Sequence, residues 1–288
     1  MATPSSPTVL KRWIALELRR LREEADVSRQ DAANRLGQNR SNIGHFETAY
    51  SLPSPLAVEA LLELYGASER IPSFLDLVAT ARRGKDWWAK LAGAAPSWFN
   101  LYLGLEAGAA EISSFDTYLV PGLLQTPDYA TAVISADPEI SETQLKQRVE
   151  LRMARQQVLG RSPEPLRLWS VLDESVLYRR RGTPEVMAAQ LASLLEMSEQ
   201  PRVDIQVLPL TAGAHLAQHG TFQILKFPDD MIGDPGVIYI EELVEGRYFE
   251  EPTQIALYER TMARLRVLAA PPDASRRLIE QAMRKAEE

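Results

Sequence analysis

Arg40, Ser41, Asn42 and His45 are four hydrogen-bonding side chains crowded into the stretch Arg40–Glu47. Ile43 and Phe46 lie three apart in the same stretch and mark the core-facing side of a short helix, which turns the polar four away from that side. The chemistry such a group suits is the reading of base-pair edges in a major groove. Arg40 offers a bidentate fork to guanine O6 and N7, a pairing that gives roughly 1–3 kcal/mol of discrimination. Ser41 is permissive. Asn42 suits adenine or a phosphate, and His45 donates to guanine or packs on a thymine methyl. No target sequence follows from these types alone.

The elements that must position this stripe are legible around it. Asn39 is placed to cap the helix over Arg40–Glu47. Gly37 stands where a preceding helix must stop, in a left-handed conformation that glycine tolerates. That preceding helix opens at Ser28, a capping hydroxyl, with Asp31 in its first turn. Its Ala32, Ala33 and Leu36 form a small apolar face that allows close approach. Upstream, Ile14, Leu18, Leu21 and Ala25 recur at helical spacing, with Arg19, Arg20 and Arg22 assigned to the outer face. Leu52-Pro53-Ser54-Pro55 breaks the chain and starts a fourth helix through Ala57, Leu61, Leu62 and Leu64. A fifth is expected over 71–81. The expectation is a five-helix domain over residues 1–84, with 1–12 as a flexible arm.

This module resembles the phage-repressor-like (Cro/CI, or xenobiotic-response-element) helix-turn-helix domains. The residues carrying the resemblance are Leu18, Leu21, Arg22, Val27, Ser28, Ala33, Leu36, Gly37, Ile43, Phe46, Glu47 and Pro53. The resemblance implies Arg40, Ser41, Asn42 and His45 as base readers and Arg29, Asn39 and Thr48 as phosphate contacts. It also implies a buried ion pair between Arg22 and Glu47. Asp26 and Ala49 depart from the family, which usually has glycine at both places. An alanine forced into the left-handed region is strained by about 1 kcal/mol.

At 288 residues the chain is long enough for two ordinary domains, and 45% hydrophobic with 25% charged residues is a globular composition. No apolar run reaches the length of a membrane span, and the first residues lack the continuous hydrophobic core of a secretory signal. There are no cysteines, which excludes disulfides, thiolate metal sites and a cysteine nucleophile. A cytoplasmic location is expected, and no cofactor. The net charge of −7 looks wrong for a DNA binder until the chain is divided. Residues 1–85 hold 12 Lys+Arg against 10 Asp+Glu, a surplus of two, which leaves −9 on the remainder. So small a surplus gives weak non-specific affinity, so a homodimer presenting two modules to double-stranded DNA is expected.

Residues 85–288 alternate strand and helix signals. The basic junction Arg82-Arg83-Gly84-Lys85 leads to Asp86 and the pair Trp87-Trp88, which cannot both face one side of a helix. Helices are expected over 97–108, from Pro127, over 141–160, after Ser175, over 184–198, over 252–268 and over 274–285. Strands are expected at Ile112–Val120, 166–172, 203–208, 221–227 and 236–241. The fold class is mainly α, with an α+β second domain built on a small sheet. Arg148, Arg152 and Arg155 on the 141–160 helix suit a second nucleic-acid surface. Glu142 and Glu150 favour a solvated or dimer-facing helix instead.

This half resembles a C-terminal domain of actinobacterial, WhiJ-like developmental regulators, often described as antitoxin-like. The resemblance rests on Val120-Pro121-Gly122-Leu123-Leu124-Gln125-Thr126, Arg155-Gln156, Leu172-Asp173-Glu174, Gln190-Leu191 and Val207-Leu208-Pro209. It implies transcriptional control with a small-molecule effector or a small acidic protein partner as input. Gln125, Tyr129, Glu174, Tyr239 and Glu241 are the candidate ligand or partner contacts.

Signatures of catalysis are absent. The sequence has no P-loop and no dinucleotide glycine fingerprint. His215 and His219 are four apart, a spacing that would share a metal on a helix, with Glu241 and Glu242 as further ligands. The flanking Gly213 and Gly220 favour a loop with no metal. Asp173-Glu174 fits a helix start as well as an acid pair. Arg179-Arg180-Arg181 suits an anionic ligand or nucleic acid, but a solvated loop more. Three readings remain: a DNA-binding regulator with an effector domain, an antitoxin-like protein that binds a small partner and regulates itself, and an enzyme with a regulatory DNA domain. The first is favoured and the third is not.

Overall fold

A computed structural model describes residues 6–84, 87–162, 164–229, 231 and 233–287. The chain divides into two compact units, Met1–Ala89 with Phe227–Asp234 and Lys90–Lys226 with Pro235–Glu288. Lys85 and Asp86 of the basic junction lie outside the described residues. Trp88 is buried while Trp87 is exposed, with the two rings edge-on at 5.7 Å.

The first unit is all-helical: α1 (Pro7–Glu24), α2 (Arg29–Leu36), α3 (Arg40–Glu47), α4 (Pro55–Leu64) and α5 (Ile71–Arg83), with a 3-10 turn at Ser68–Arg70. Residues 7–12 are not a free arm. They are the first turns of α1, and Val9 and Leu10 are buried. Proline opens α1, α4 and α5 within the first two helical positions, where its missing N–H costs nothing. The core joins Ile14 and Leu18 of α1, Ala32 and Ala33 of α2, Ile43 of α3, Leu61 and Leu62 of α4, and Phe74 and Val78 of α5.

The second unit is α+β. Its helices are α6 (Phe99–Gly108), α7 (Pro127–Ile134), α8 (Glu142–Arg155), α9 (Ser175–Tyr178), α10 (Pro184–Met197), α11 (Pro252–Leu268) and α12 (Pro272–Glu287). The strands are β1 (Glu111–Asp116), β2 (Arg167–Asp173), β3 (Val203–Leu208), β4 (Phe222–Lys226), β5 (Val237–Glu241) and β6 (Gly246–Phe249). They form one mixed sheet in the order β3-β2-β1-β4-β5-β6. The β3-β2-β1 portion is parallel and the remaining pairings are antiparallel.

The first strand ends earlier than its apolar run predicts. β1 stops at Asp116, and Tyr118 is 58% exposed. β6 is an additional strand, short and bordered by glutamates.

Register gives the sheet two unlike faces. Phe115, Val171, Phe222, Ile224 and Ile238 pack with Ile255, Met262 and Leu265 of α11 in a dry core. Other directly opposed residues make a polar row. Ser170 pairs with Ser114, Ser114 with Gln223, Gln223 with Tyr239, and Tyr239 with Tyr248. Directly opposed residues share a face, so this row crosses five strands on one side of the sheet. Buried polar groups on such a scale must find partners: Ser114 meets Ser170 and Asp116, and Tyr102 of α6 meets Gln223.

Candidate nucleic-acid interface and a buried polar cluster

The helix pair α2–α3 is built by local chemistry. Ser28 caps α2, its Oγ accepting from the Asp31 amide at 3.1 Å. Gly37 terminates the helix at φ +62°, and the Gln38 amide closes back onto the Ala33 carbonyl at 2.9 Å. Asn39 takes the N-cap position of α3 with extended backbone. Its carbonyl accepts from the Asn42 amide at 2.9 Å, while its side chain makes no capping bond.

On α3, Ile43, Phe46 and Glu47 are buried, whereas Arg40, Ser41 and His45 are exposed and Asn42 is half-buried. Asn42 Nδ2 donates to Gln38 Oε1 at 3.3 Å, and the His45 ring lies 4.7 Å from that of exposed Tyr50. The polar stripe thus faces away from the core of its own unit.

Glu47 ties three helices together. Arg22 of α1 donates through Nε to its Oε1 at 2.5 Å, and Arg29 of α2 donates through Nε to its Oε2 at 2.7 Å. Arg22 is drawn inward by this pair and is not on the outer face of α1. Hydrogen bonding to Glu47 raises the Arg22 pKa further above its ordinary value, against the opposing effect of burial. The Nη groups of Arg29 make no hydrogen bond among the described residues. Thr48 is exposed, with its hydroxyl donating to the Gly44 carbonyl at 2.9 Å. Asp26 and Ala49 both adopt left-handed backbone, at φ +53° and +58°. The turn after α3 therefore takes the conformation a glycine would take, at alanine's cost.

In the second unit the polar row meets a charged cluster. Glu106 of α6 receives Nε and Nη2 of Arg155 on α8, both at 2.8 Å, and all of these atoms are buried. The Tyr102 hydroxyl donates to Glu106 Oε2 at 2.8 Å and lies 2.7 Å from the side chain of Gln223 in the polar row. Burial, then the Glu106 charge, pushes the Tyr102 phenol well above its ordinary pKa. The Tyr239 ring sits 4.3 Å from that of Tyr102, and its hydroxyl contacts exposed Glu241 at 3.4 Å. Arg152, one turn before Arg155, donates through Nη1 to Gln125 Oε1 at 2.8 Å. Gln125 in turn donates to the Val120 carbonyl at 2.7 Å, while the Tyr129 hydroxyl accepts from the Val120 amide at 3.3 Å.

Gln125, Tyr129, Tyr239 and Glu241 therefore belong to one connected region. Glu174 stands apart and accepts from the Leu210 amide at 2.9 Å. Arg155 is buried and Arg152 half-buried, and the two turn towards Glu106 and Gln125 respectively, so neither lies on a fully solvated face of α8. Residue types alone gave no pairing for them. The available signal was Glu106, the one charged residue of the helix 99–108, whose burial demands a cation.

Residues 13–70 match a family described as a helix-turn-helix domain. Residues 99–281 match the family described as "Domain of unknown function (DUF5753)", which spans well over half of the chain. The chain belongs to the DUF5753 family. No curated protein and no solved structure matches it. The helix-turn-helix match takes in α2, α3 and the Arg22–Glu47–Arg29 network. The DUF5753 match takes in Tyr102, Glu106, Gln125, Arg152, Arg155, Gln223, Tyr239 and Glu241.

His215 and His219 also fall in the DUF5753 domain, where a 3-10 helix spans Leu216–His219 and His215 is its N-cap. His215 packs edge-on against Phe115 at 5.5 Å and His219 is exposed. Among the described residues no three His, Asp or Glu side chains are grouped to hold a metal ion, and no helix is long and apolar enough to cross a membrane. Asp173 accepts from the Ser175 amide at 2.9 Å, a helix-start role.

Proposed function

We propose that the chain is a sequence-specific DNA-binding transcriptional regulator, acting in the cytoplasm as a homodimer on a two-fold operator. Its DUF5753 domain takes the regulatory input, a small ligand or a small acidic protein partner, in the manner of WhiJ-like actinobacterial regulators. The chain has no catalytic role in this reading. The observation that carries it is the exposed stripe of Arg40, Ser41 and His45 on α3, backed by buried Ile43 and Phe46. Glu47 holds this helix to both α1 and α2, so the stripe is presented by a rigid support. Arg29 is oriented by the same carboxylate and keeps its Nη groups for a phosphate. The small positive surplus of the first 85 residues supports pairing of two modules one helical turn apart on the duplex.

The test is selection of a binding site from random duplex DNA by the full chain, followed by titration of two variants. Arg40→Ala loses roughly 1–3 kcal/mol on the selected site and relaxes selectivity at one base pair. Arg29→Ala weakens selected and unrelated duplexes alike, with a shallower salt dependence. Wild-type binding and selectivity in both variants would overturn the residue assignment. Monomeric complexes on the selected site would overturn the dimer.

A further inference from the structure

We infer that the DUF5753 domain binds a small organic anion, a single carboxylate or phosphate group, at the guanidinium of Arg152. The argument begins with charge. Glu106 is the buried acid of the cluster, and its two oxygens are spent on Arg155 Nε, Arg155 Nη2 and the Tyr102 hydroxyl. That leaves Arg152, the second cation on the same side of α8, with the neutral amide oxygen of Gln125 alone. Its Nε and Nη2 make no hydrogen bond, and Arg152 has no ion-pair partner, among the described residues. A cation in this setting is costly: burial first, then repulsion from Arg155, brings its pKa down to about 10.

Arg152 is only half-buried, so solvent reaches part of it. The surroundings are shaped. A Cβ on Gly122 would come within 3.3 Å of Arg152 Cδ and 3.2 Å of Arg155 Nη1, so the Pro121–Gly122 turn lies directly on the arginine pair. Tyr102 and Tyr239 pack ring to ring beside it, and a Cβ on Gly246 would stand 2.7 Å from Tyr239 Cε2. Glu241, the nearby acid that acts on Arg152 most strongly, is exposed, and among the described residues its carboxylate bonds only to the Tyr239 hydroxyl. An incoming oxyanion therefore meets two unused donors of a fixed planar fork, the geometry that suits carboxylate and phosphate. A purely structural tether for Gln125 would need a neutral donor and no charge.

The inference supplies a ligand class for the regulatory input proposed above and rests on that reading only for its effect on DNA. The binding itself is tested without DNA, by calorimetric titration of the full chain with sodium benzoate and, separately, inorganic phosphate at matched ionic strength. Saturable one-to-one binding of either probe supports the site, and the probe that binds distinguishes a carboxylate from a phosphate ligand. Arg152→Gln keeps a donor for Gln125 and is expected to abolish that binding while retaining the far-ultraviolet circular dichroism spectrum. Glu241→Gln alters an exposed position, removes a competing negative charge, and is expected to tighten binding roughly two- to fivefold. Absence of saturable binding of both probes to the wild type overturns the inference, as does equal binding by Arg152→Gln. Probe binding by a chain that selects no DNA site would leave the anion site standing and remove the regulator. DNA selection with no probe binding would do the reverse.

Discussion

Asp116 closes β1 in an unfavourable place for a carboxylate. It is 5% exposed, makes no ion pair among the described residues, and accepts from the Ser114 hydroxyl at 2.6 Å. Burial pushes its pKa from 3.8 up to about 7, against the opposing effect of the Ser114 hydrogen bond. Because the folded state binds this proton more tightly than the unfolded chain, the contribution to stability is greatest below about pH 4. It is lost progressively as pH rises to about 7. At 1.36 kcal/mol per pKa unit, the loss is on the order of 4 kcal/mol for the sheet at alkaline pH. Asp116→Asn keeps the shape, lets the amide donate to Ser114 Oγ and removes the cost of ionisation. The variant should gain about 2–4 kcal/mol over wild type near pH 8 and little near pH 4. Hydrogen exchange of the β1 and β2 amides as a function of pH is the suitable assay, since it reports on this unit by itself. Equal protection of wild type and variant near pH 8, or a difference that grows towards acid, would refute the reasoning.

Ala49→Gly relieves the left-handed backbone at φ +58° and should stabilise the helix-turn-helix unit by roughly 1 kcal/mol, seen as a higher melting temperature. A lower melting temperature would show that the strain is not there. Glu47→Gln removes the buried counter-charge of Arg22, leaving exposed Glu23 as its only ion-pair partner among the described residues, and should cost about 3–5 kcal/mol, reported by hydrogen exchange of the α1 and α3 amides. A loss below about 1 kcal/mol would place that pair with ordinary surface ion pairs.

Local signals sufficed where the determinant was local. The capping serine at position 28, the stop at Gly37 and the Ile43–Phe46 spacing locate α2 and α3, and the β-branched runs locate β2, β3, β4 and β5 to within a residue or two. β6 was hidden because Gly246-Arg247-Tyr248-Phe249 is short and set among glutamates, and it becomes a strand only by pairing with β5. Tyr118–Val120 looks as apolar as a strand, yet the chain leaves the sheet after Asp116 and turns at Pro121. The stripe on α3 was readable because one helix carries all of it. The Arg152 environment was not, because its character depends on Glu106, on a different helix, having already been taken by Arg155. Nothing in the spacing of three arginines among glutamates says which of them meets an acid and which does not.

The division of labour within the first unit bears on how such a protein can diversify. Arg22, Glu47, Ile43 and Phe46 hold α3 in place from its buried side, while Arg40, Ser41 and His45 are exposed on the other. On the proposed reading, duplicated copies acquire new target preferences by changing these outward side chains while the buried contacts of α3 stay in place. Drift in target choice between descendants of one ancestor is, for this architecture, mechanically inexpensive.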